Sequence, residues 1–378
     1  MRSLPPLSRP RSRVRSPDRL LSRARQLSRV RGLILLTISL ATAAIHDAAH
    51  SAELPRLGAL LEETSVSGLS SGAYMAGQMQ LAHSRIIIGA GIVAGGPYGC
   101  AESTFADAIP GPGAIFFNAG KAVNGCMLDG LKMMGVPNPE MLARRARHLA
   151  ETGRIDPIDG VIGDKIYLFS GREDHTVVAA IVAKAVEFYG AIGVPKDAIK
   201  YVADVGSGHG FVTAGHGLAC ARTGPPYIVD CNYDQAGELL QHLLGPLKSP
   251  EAGAAHTGLE DFDQRSFVKD IGEHSLSDTG AIYVPAECRR QQGCRVHVVF
   301  HGCGQSRSVV GAGLPAQTGF VPWAEANRLI LLFPQVAPSA LNPQGCWDWW
   351  GYTGREYLTR GGAQITAIHR MLLRLAER

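Results

Sequence analysis

Three short segments of the chain carry side chains that together could perform acyl transfer. Residues 68–72 read Gly-Leu-Ser-Ser-Gly, a G-x-S-x-G spacing that sets a serine on a sharp strand-to-helix turn, with the glycines relieving the crowding. A serine hydroxyl is a poor nucleophile until a base takes its proton, and that base needs an acid to fix its tautomer. Asp174 closes Gly171-Arg172-Glu173-Asp174, and His209 stands in Gly206-Ser207-Gly208-His209-Gly210. The serine motif is weak alone in a chain holding 45 glycines, and it gains meaning only if all three residues fall just beyond strands.

They do. Leu60–Ser67 is short and extended in character and runs into Ser70, and Ala73–His83 is compatible with a helix behind it. Lys165–Ser170 reads as a buried strand ending four residues before Asp174, and Ile199–Val205 as another ending four residues before His209. Serine, then aspartate, then histidine is the chain order of α/β hydrolases, with Ser70 as nucleophile, Asp174 as orienting acid and His209 as general base. The rivals sit less well. Asp164 precedes its strand, Glu173 points elsewhere in its turn, His175 reads as an exposed loop residue and His216 lies beyond the His209 turn. His83, His242 and His369 fall on helical stretches.

One part stands in an unexpected place. An α/β hydrolase carries its oxyanion loop, of His-Gly type, upstream of the nucleophile. Here the matching pattern is downstream: Arg295–Phe300 is an apolar strand that ends in His301-Gly302-Cys303-Gly304. This predicts a circularly permuted α/β hydrolase with a mostly parallel sheet, helices on both faces and disulfides. Its oxyanion donors are the backbone N–H groups of Ser71 and Cys303, each worth about 3–4 kcal/mol to the transition state. The segment Cys346-Trp347-Asp348-Trp349-Trp350-Gly351-Tyr352 holds three of the four tryptophans, combining core packing with flat apolar surface for a ligand. Trp350, with Trp347 beside it, is the expected contact.

Further strands are expected at Arg85–Ala94, Arg265–Val268, Gly280–Pro285 and Leu329–Phe333, and helices at Val177–Tyr189 and Ala363–Arg378. Residues 95–160, rich in Gly, Pro and Met, read as an insertion with short helices, and 245–258 as a linker or long loop. Residues 53–378 are expected to form a single catalytic domain.

Charge and cysteine usage place the chain outside the cytoplasm. The formal net charge is +4, but residues 1–44 hold ten Arg against Asp18 alone, a net of +9 that leaves −5 for the rest. A mildly acidic body argues against nucleic-acid binding. The Arg-rich start, the apolar run Gly32–Ala44 and the small residues that follow read as a signal peptide over residues 1–52, cleaved between 43 and 52. The run is too short to span a bilayer, so no membrane partner is expected after cleavage, and the product is secreted or periplasmic. Eight cysteines remain beyond it, and none forms a C-x-x-C pair, so no metal is expected. Four disulfides fit an exported chain, with free buried thiols as the alternative. Proximity favours Cys220–Cys231 and Cys288–Cys294, which leaves Cys100, Cys126, Cys303 and Cys346, paired as Cys100–Cys126 and Cys303–Cys346.

With these parts in order, the sequence resembles the extracellular poly(3-hydroxybutyrate) depolymerases, most of all their circularly permuted single-domain members. The resemblance spans most of residues 60–378 and rests on GLSSGAYMA, LFSGREDHTV, GSGHGFVT, FHGCGQS and GCWDWWGY. It implies a serine esterase with Ser70, Asp174 and His209 as the triad, Ser71 and Cys303 as oxyanion donors, Trp350 against the polymer, a polyester or oligoester substrate, no cofactor and no protein partner. Many extracellular members add a linker and a polymer-binding domain; this chain ends after the catalytic part, so adsorption to solid polymer would fall to its own surface. A feruloyl- or acetyl-esterase pocket on the same triad is the enzymatic alternative. A binding module on a decayed hydrolase fold is the other, and it would carry a broken triad or oxyanion loop.

Overall fold

The protein is described by a computed structural model covering residues 51–102, 113–251 and 258–378. Residues 1–50 of the expected signal segment lie outside the described residues, as do 103–112 of the expected insertion and 252–257 of the expected linker.

The apolar runs become an eight-stranded sheet. In chain order its strands are β1 (Thr64–Leu69), β2 (Ile87–Val93), β3 (Lys165–Phe169) and β4 (Ile199–Val202), then β8 (Leu259–Asp263), β9 (Thr279–Tyr283), β10 (Arg295–Phe300) and β11 (Leu329–Phe333). Their order across the sheet is β4-β3-β2-β1-β10-β11-β9-β8. All neighbours are parallel except β9, which runs antiparallel to β11 and β8. The first strand of the fold therefore lies mid-sheet, flanked by β10 from the C-terminal half.

Sequence explains why β1 takes that place. Every residue of Thr64–Leu69 is buried, and its two inward serines are satisfied across the strand pair. The Ser65 and Ser67 hydroxyls each lie 2.8 Å from a ring nitrogen of His297 on β10. Buried polar groups are tolerated when paired in this way, and burial holds the His297 pKa down to about 3.

Helices cover both faces. A Cβ built on Gly91 would point at Leu239 of the helix Gln235–Leu244, whereas the adjacent Ile92 reaches toward Gly77 of the helix Ser71–Ala82. Successive strand residues point to opposite faces, so these two helices lie on opposite sides of β2. Among the described residues, no helix is long and apolar enough to cross a membrane.

Two local expectations are corrected. Arg265–Phe267 is a single 3-10 turn, and the strand lies just before it as β8. In Leu-Glu-Asp-Phe-Asp only Phe262 is buried, so this edge strand lacks the apolar run that marks an interior one. Beyond His209 the chain also forms a small parallel sheet of β5 (Phe211–Thr213), β6 (Leu218–Ala219) and β7 (Ile228–Asp230), strands too short to leave a periodic signature. The stretch before residue 160 does carry helices, at Gly113–Cys126, Pro139–Glu151 and Asp159–Ile162.

One of the tight approaches in the fold is at Gly72, where an added Cβ would come within 2.3 Å of the Phe300 carbonyl oxygen and 2.5 Å of that of His301. Backbone on both sides leaves no flexible group to yield. Gly72→Ala is expected to cost about 1–3 kcal/mol, the usual penalty of overpacking; calorimetry giving an unchanged Tm would contradict this packing.

Candidate active site

Ser70 caps the helix Ser71–Ala82 with φ 58° and ψ −119°, a left-handed backbone that a residue with a Cβ adopts only under constraint. The constraint is visible. The Ser70 N–H donates to Val93 O on β2 at 2.9 Å, and its carbonyl accepts from Ala73 and Tyr74 as the helix begins. Gly68 and Gly72 make the turn possible, because a Cβ on Gly68 would sit 2.2 Å from Gly72 O. The hydroxyl is thereby raised from the end of the central strand into a cavity of about 440 Å³.

Asp174 and His209 lie beyond β3 and β4, on the same edge of the sheet. The Asp174 carboxylate is buried and fully engaged: Oδ1 accepts from the N–H groups of Thr176 (2.8 Å) and Val177 (2.9 Å), and Oδ2 lies 2.8 Å from His209 Nδ1. A carboxylate there selects the tautomer with hydrogen on Nδ1 and leaves Nε2 as the base. His209 is further held by its own N–H, donated to the Thr223 hydroxyl at 2.9 Å, and by the edge-on ring of Tyr227 at 6.5 Å between centroids. Ser70 and His209 line the same cavity.

None of the rivals shares that arrangement. Glu173 and His175 are exposed. Asp164 is buried among other partners, accepting from Gln80 Nε2 at 2.7 Å, and burial pushes its pKa up to about 7. His216 lies against the Gln317 carbonyl, His242 against the carbonyls of Ile166 and Ala198, and His83 stacks on His369.

The loop after β10 reaches the serine from the other half of the chain. A Cβ added to Gly302 would lie 3.5 Å from that of Ser70, and Cys303 lines the cavity. The neighbouring N–H groups are occupied, Gly302 donating to Gln305 Oε1 at 2.7 Å and Gly304 to Gln344 O at 2.7 Å. Among the described residues no acceptor within the protein takes the Cys303 N–H. Ser71 is the first residue of its helix, where N–H groups have no intrahelical acceptor. Cys303 is at disulfide distance from Cys346, and the other pairs are Cys100–Cys126, Cys220–Cys231 and Cys288–Cys294.

The tryptophan segment divides differently from the expectation. Trp350 is half-buried and lines the cavity, whereas Trp347 is completely buried, packed on Phe300 and His301, and does not reach it. Trp349, stacked on Tyr74 at 4.2 Å, lines the cavity in its place. Asp348 fixes this division by accepting from the N–H groups of Gly351, Tyr352 and Thr353 and from the Thr353 hydroxyl, which folds the segment into a tight turn. Alternation along a strand would have paired Trp347 with Trp349; the turn does not obey it. Sequence reading also missed Tyr227 and the apolar wall of Val123 and Met127, which carry no motif.

A mostly parallel sheet with a serine on a strained strand-to-helix turn and an Asp–His pair at the same edge defines a serine hydrolase of the α/β class. Comparison with known proteins narrows this. No protein-family model matches the chain. It is 36% identical over 328 residues to a poly(3-hydroxybutyrate) depolymerase of Delftia acidovorans, a match covering 86% of this chain and 62% of that protein. It is 31% identical over 331 residues to a polyhydroxybutyrate depolymerase of Talaromyces funiculosus, covering 83% of this chain and 90% of that one. Two solved structures are similar over 86% of this chain and 100% of theirs: a serine-to-alanine variant of a PHB depolymerase complexed with an R3HB trimer (TM-score 0.75, 29% identity) and the PHB depolymerase of Penicillium funiculosum (TM-score 0.74, 30% identity). The chain belongs to the poly(3-hydroxybutyrate) depolymerase family.

A fluorophosphonate should label the folded protein at Ser70, and His209→Ala should slow labelling by about 10²- to 10⁴-fold, the usual worth of a general base. Equal labelling rates, measured by intact mass, would contradict the pairing of these residues.

Proposed function

We propose that this protein is a secreted serine esterase that hydrolyses poly(3-hydroxybutyrate) or its oligomers through an acyl-enzyme. The observation that carries the reading is an apolar cavity in which Ser70, His209 with its Asp174 partner, and the Cys303 loop meet. Family membership, and a similar structure bound to an R3HB trimer, make 3-hydroxybutyrate esters the substrate class.

His209 Nε2 takes the Ser70 proton as Oγ attacks the ester carbonyl. The N–H groups of Ser71 and Cys303 receive the negative charge that develops on the carbonyl oxygen, where preorganised donors matter most. The tetrahedral intermediate expels the alcohol-bearing fragment, which takes the proton back from His209 and leaves an acyl group on Ser70. Water then enters, gives its proton to His209 and attacks the acyl carbon; collapse returns that proton to Ser70 and releases the free acid. A cavity of about 440 Å³ lies in the ordinary range for small-ligand sites and suits a short stretch of polyester. Trp349, Trp350, Val123 and Met127 offer apolar wall to the methyl-bearing backbone of such a chain.

The reading includes a circular permutation. The strand order supports it, because the strand before the oxyanion loop, β10, neighbours the nucleophile strand β1 although 225 residues of sequence numbering separate Leu69 from Arg295's end of the pair, with the loop downstream of the serine. Four disulfide pairs and the leader-like start support export. Residues 53–378 act as one catalytic domain in this reading.

On 3-hydroxybutyrate trimer, Ser70→Ala is expected to abolish turnover and Asp174→Asn to lower kcat by on the order of 10³- to 10⁴-fold. Trp350→Ala is expected to raise KM for the trimer several-fold with little change in kcat on a short acetate ester. Undiminished Ser70→Ala turnover, or a marked preference for feruloyl or acetylated sugars over the trimer, would overturn the proposal.

A further inference from the structure

The imidazole of His301 is completely buried, one residue before the proposed oxyanion loop, and takes no part in the acid–base chemistry. Its two nitrogens have distinct partners. The Val336 N–H donates to Nε2 at 3.1 Å, so Nε2 is unprotonated and the ring hydrogen sits on Nδ1. Nδ1 lies 2.8 Å from Gly302 O and therefore donates to it. Burial keeps the ring neutral, with a pKa lowered to about 4.

That carbonyl belongs to the peptide unit joining Gly302 to Cys303, whose N–H is the Cys303 N–H. Because a peptide unit is planar, fixing its oxygen fixes the direction of its hydrogen. The carbonyl also accepts from the Gln305 N–H at 3.2 Å, and the preceding peptide is held through Gly302 N–H to Gln305 Oε1. A donor on the carbonyl oxygen further polarises the amide and strengthens its N–H as a donor on the opposite side. Trp347 packs against the His301 ring at 5.5 Å between centroids.

We infer that His301 is a positioning residue for catalysis: its Nδ1–H locks and polarises the Gly302–Cys303 peptide so that the Cys303 N–H is aimed at the developing oxyanion. The inference deepens the proposed function and rests on Cys303 being an oxyanion donor.

Two substitutions separate the two sides of the ring. In His301→Asn the side-chain amide can replace the Nδ1 donor but offers nothing to Val336. In His301→Gln the longer side chain can keep the acceptor for Val336 and loses the donor to Gly302. The Gln variant is expected to lose kcat on a short ester by on the order of 10- to 100-fold, short of the roughly 10²- to 10³-fold for losing a whole donor. Its KM should hold, and its affinity for a trifluoromethyl ketone should fall in parallel with kcat. His301→Asn should recover most of both. Equal kcat in the two variants, or a loss confined to KM, would overturn the inference while the native enzyme still labels with fluorophosphonate. Native protein that fails to label would bring down the underlying reading as well. Should neither variant fold, ¹⁵N shifts of the native imidazole decide: hydrogen on Nδ1 supports the inference and hydrogen on Nε2 overturns it.

Discussion

The parallel pairing of β1 with β10 is the contact on which the site depends. Its register sets Gly68 opposite Phe300, so the two strands end together and release Ser70 and the 301–304 loop at one edge. A shift by one residue would turn every side chain to the wrong face and part the serine from that loop. Three features hold the register. The Ser65 and Ser67 hydroxyls bracket the His297 ring, burial excludes water from the strand, and Gly72 lets the helix after Ser70 lie against the backbone of Phe300 and His301. A long sequence separation must be closed before this pairing forms, and the near-complete burial of both strands, with the β1 serines satisfied by His297, supplies the driving force.

Around that pair the site is assembled from groups with almost no freedom left. Asp174 has both oxygens occupied, His209 is held at ring and backbone, and Ser70 is fixed in a backbone conformation that its neighbours enforce. Gln305 ties the 301–304 loop to the loop under His209, accepting from Gly302 N–H and donating to Pro226 O at 3.0 Å. The Cys303–Cys346 pair joins the same loop to the tryptophan turn. Polar donors that are already oriented need not reorganise when charge develops, which is the main source of rate enhancement in acyl transfer. The apolar wall of Trp349, Trp350, Val123 and Met127 gives that charge a setting of low polarity.

Much of this was legible in the residues. Ser70, Asp174 and His209 each follow a stretch that reads as a strand, so their common edge followed from three local readings. His301-Gly302-Cys303 stood out as a His-Gly pattern after an apolar strand, and the structure sets that loop beside Ser70. Proximity along the chain favoured Cys220–Cys231 and Cys288–Cys294, and the other two pairs were what remained. What was misread depends on tertiary contacts. Trp347 and Trp349 differ in nothing local, and the turn tied by the buried Asp348 carboxylate, with Trp347 N–H bonded to the Ser71 hydroxyl, sets which ring meets the cavity. Edge strand β8 is acidic at three of its five positions, and β5 to β7 are two or three residues each, below the length at which alternation can be seen. The partners of His301 come from Gly302 and from Val336, thirty-five residues on, and no spacing rule predicts the second.

The most direct measurement is a crystal structure of the protein with a phosphonate bonded to Ser70, a fixed mimic of the tetrahedral intermediate. The account predicts one phosphoryl oxygen about 2.7–3.1 Å from both the Ser71 and the Cys303 nitrogen, with His209 Nε2 facing the opposite, ester-side oxygen. A phosphoryl oxygen turned to solvent, or a Cys303 nitrogen beyond hydrogen-bonding reach of the adduct, would contradict it.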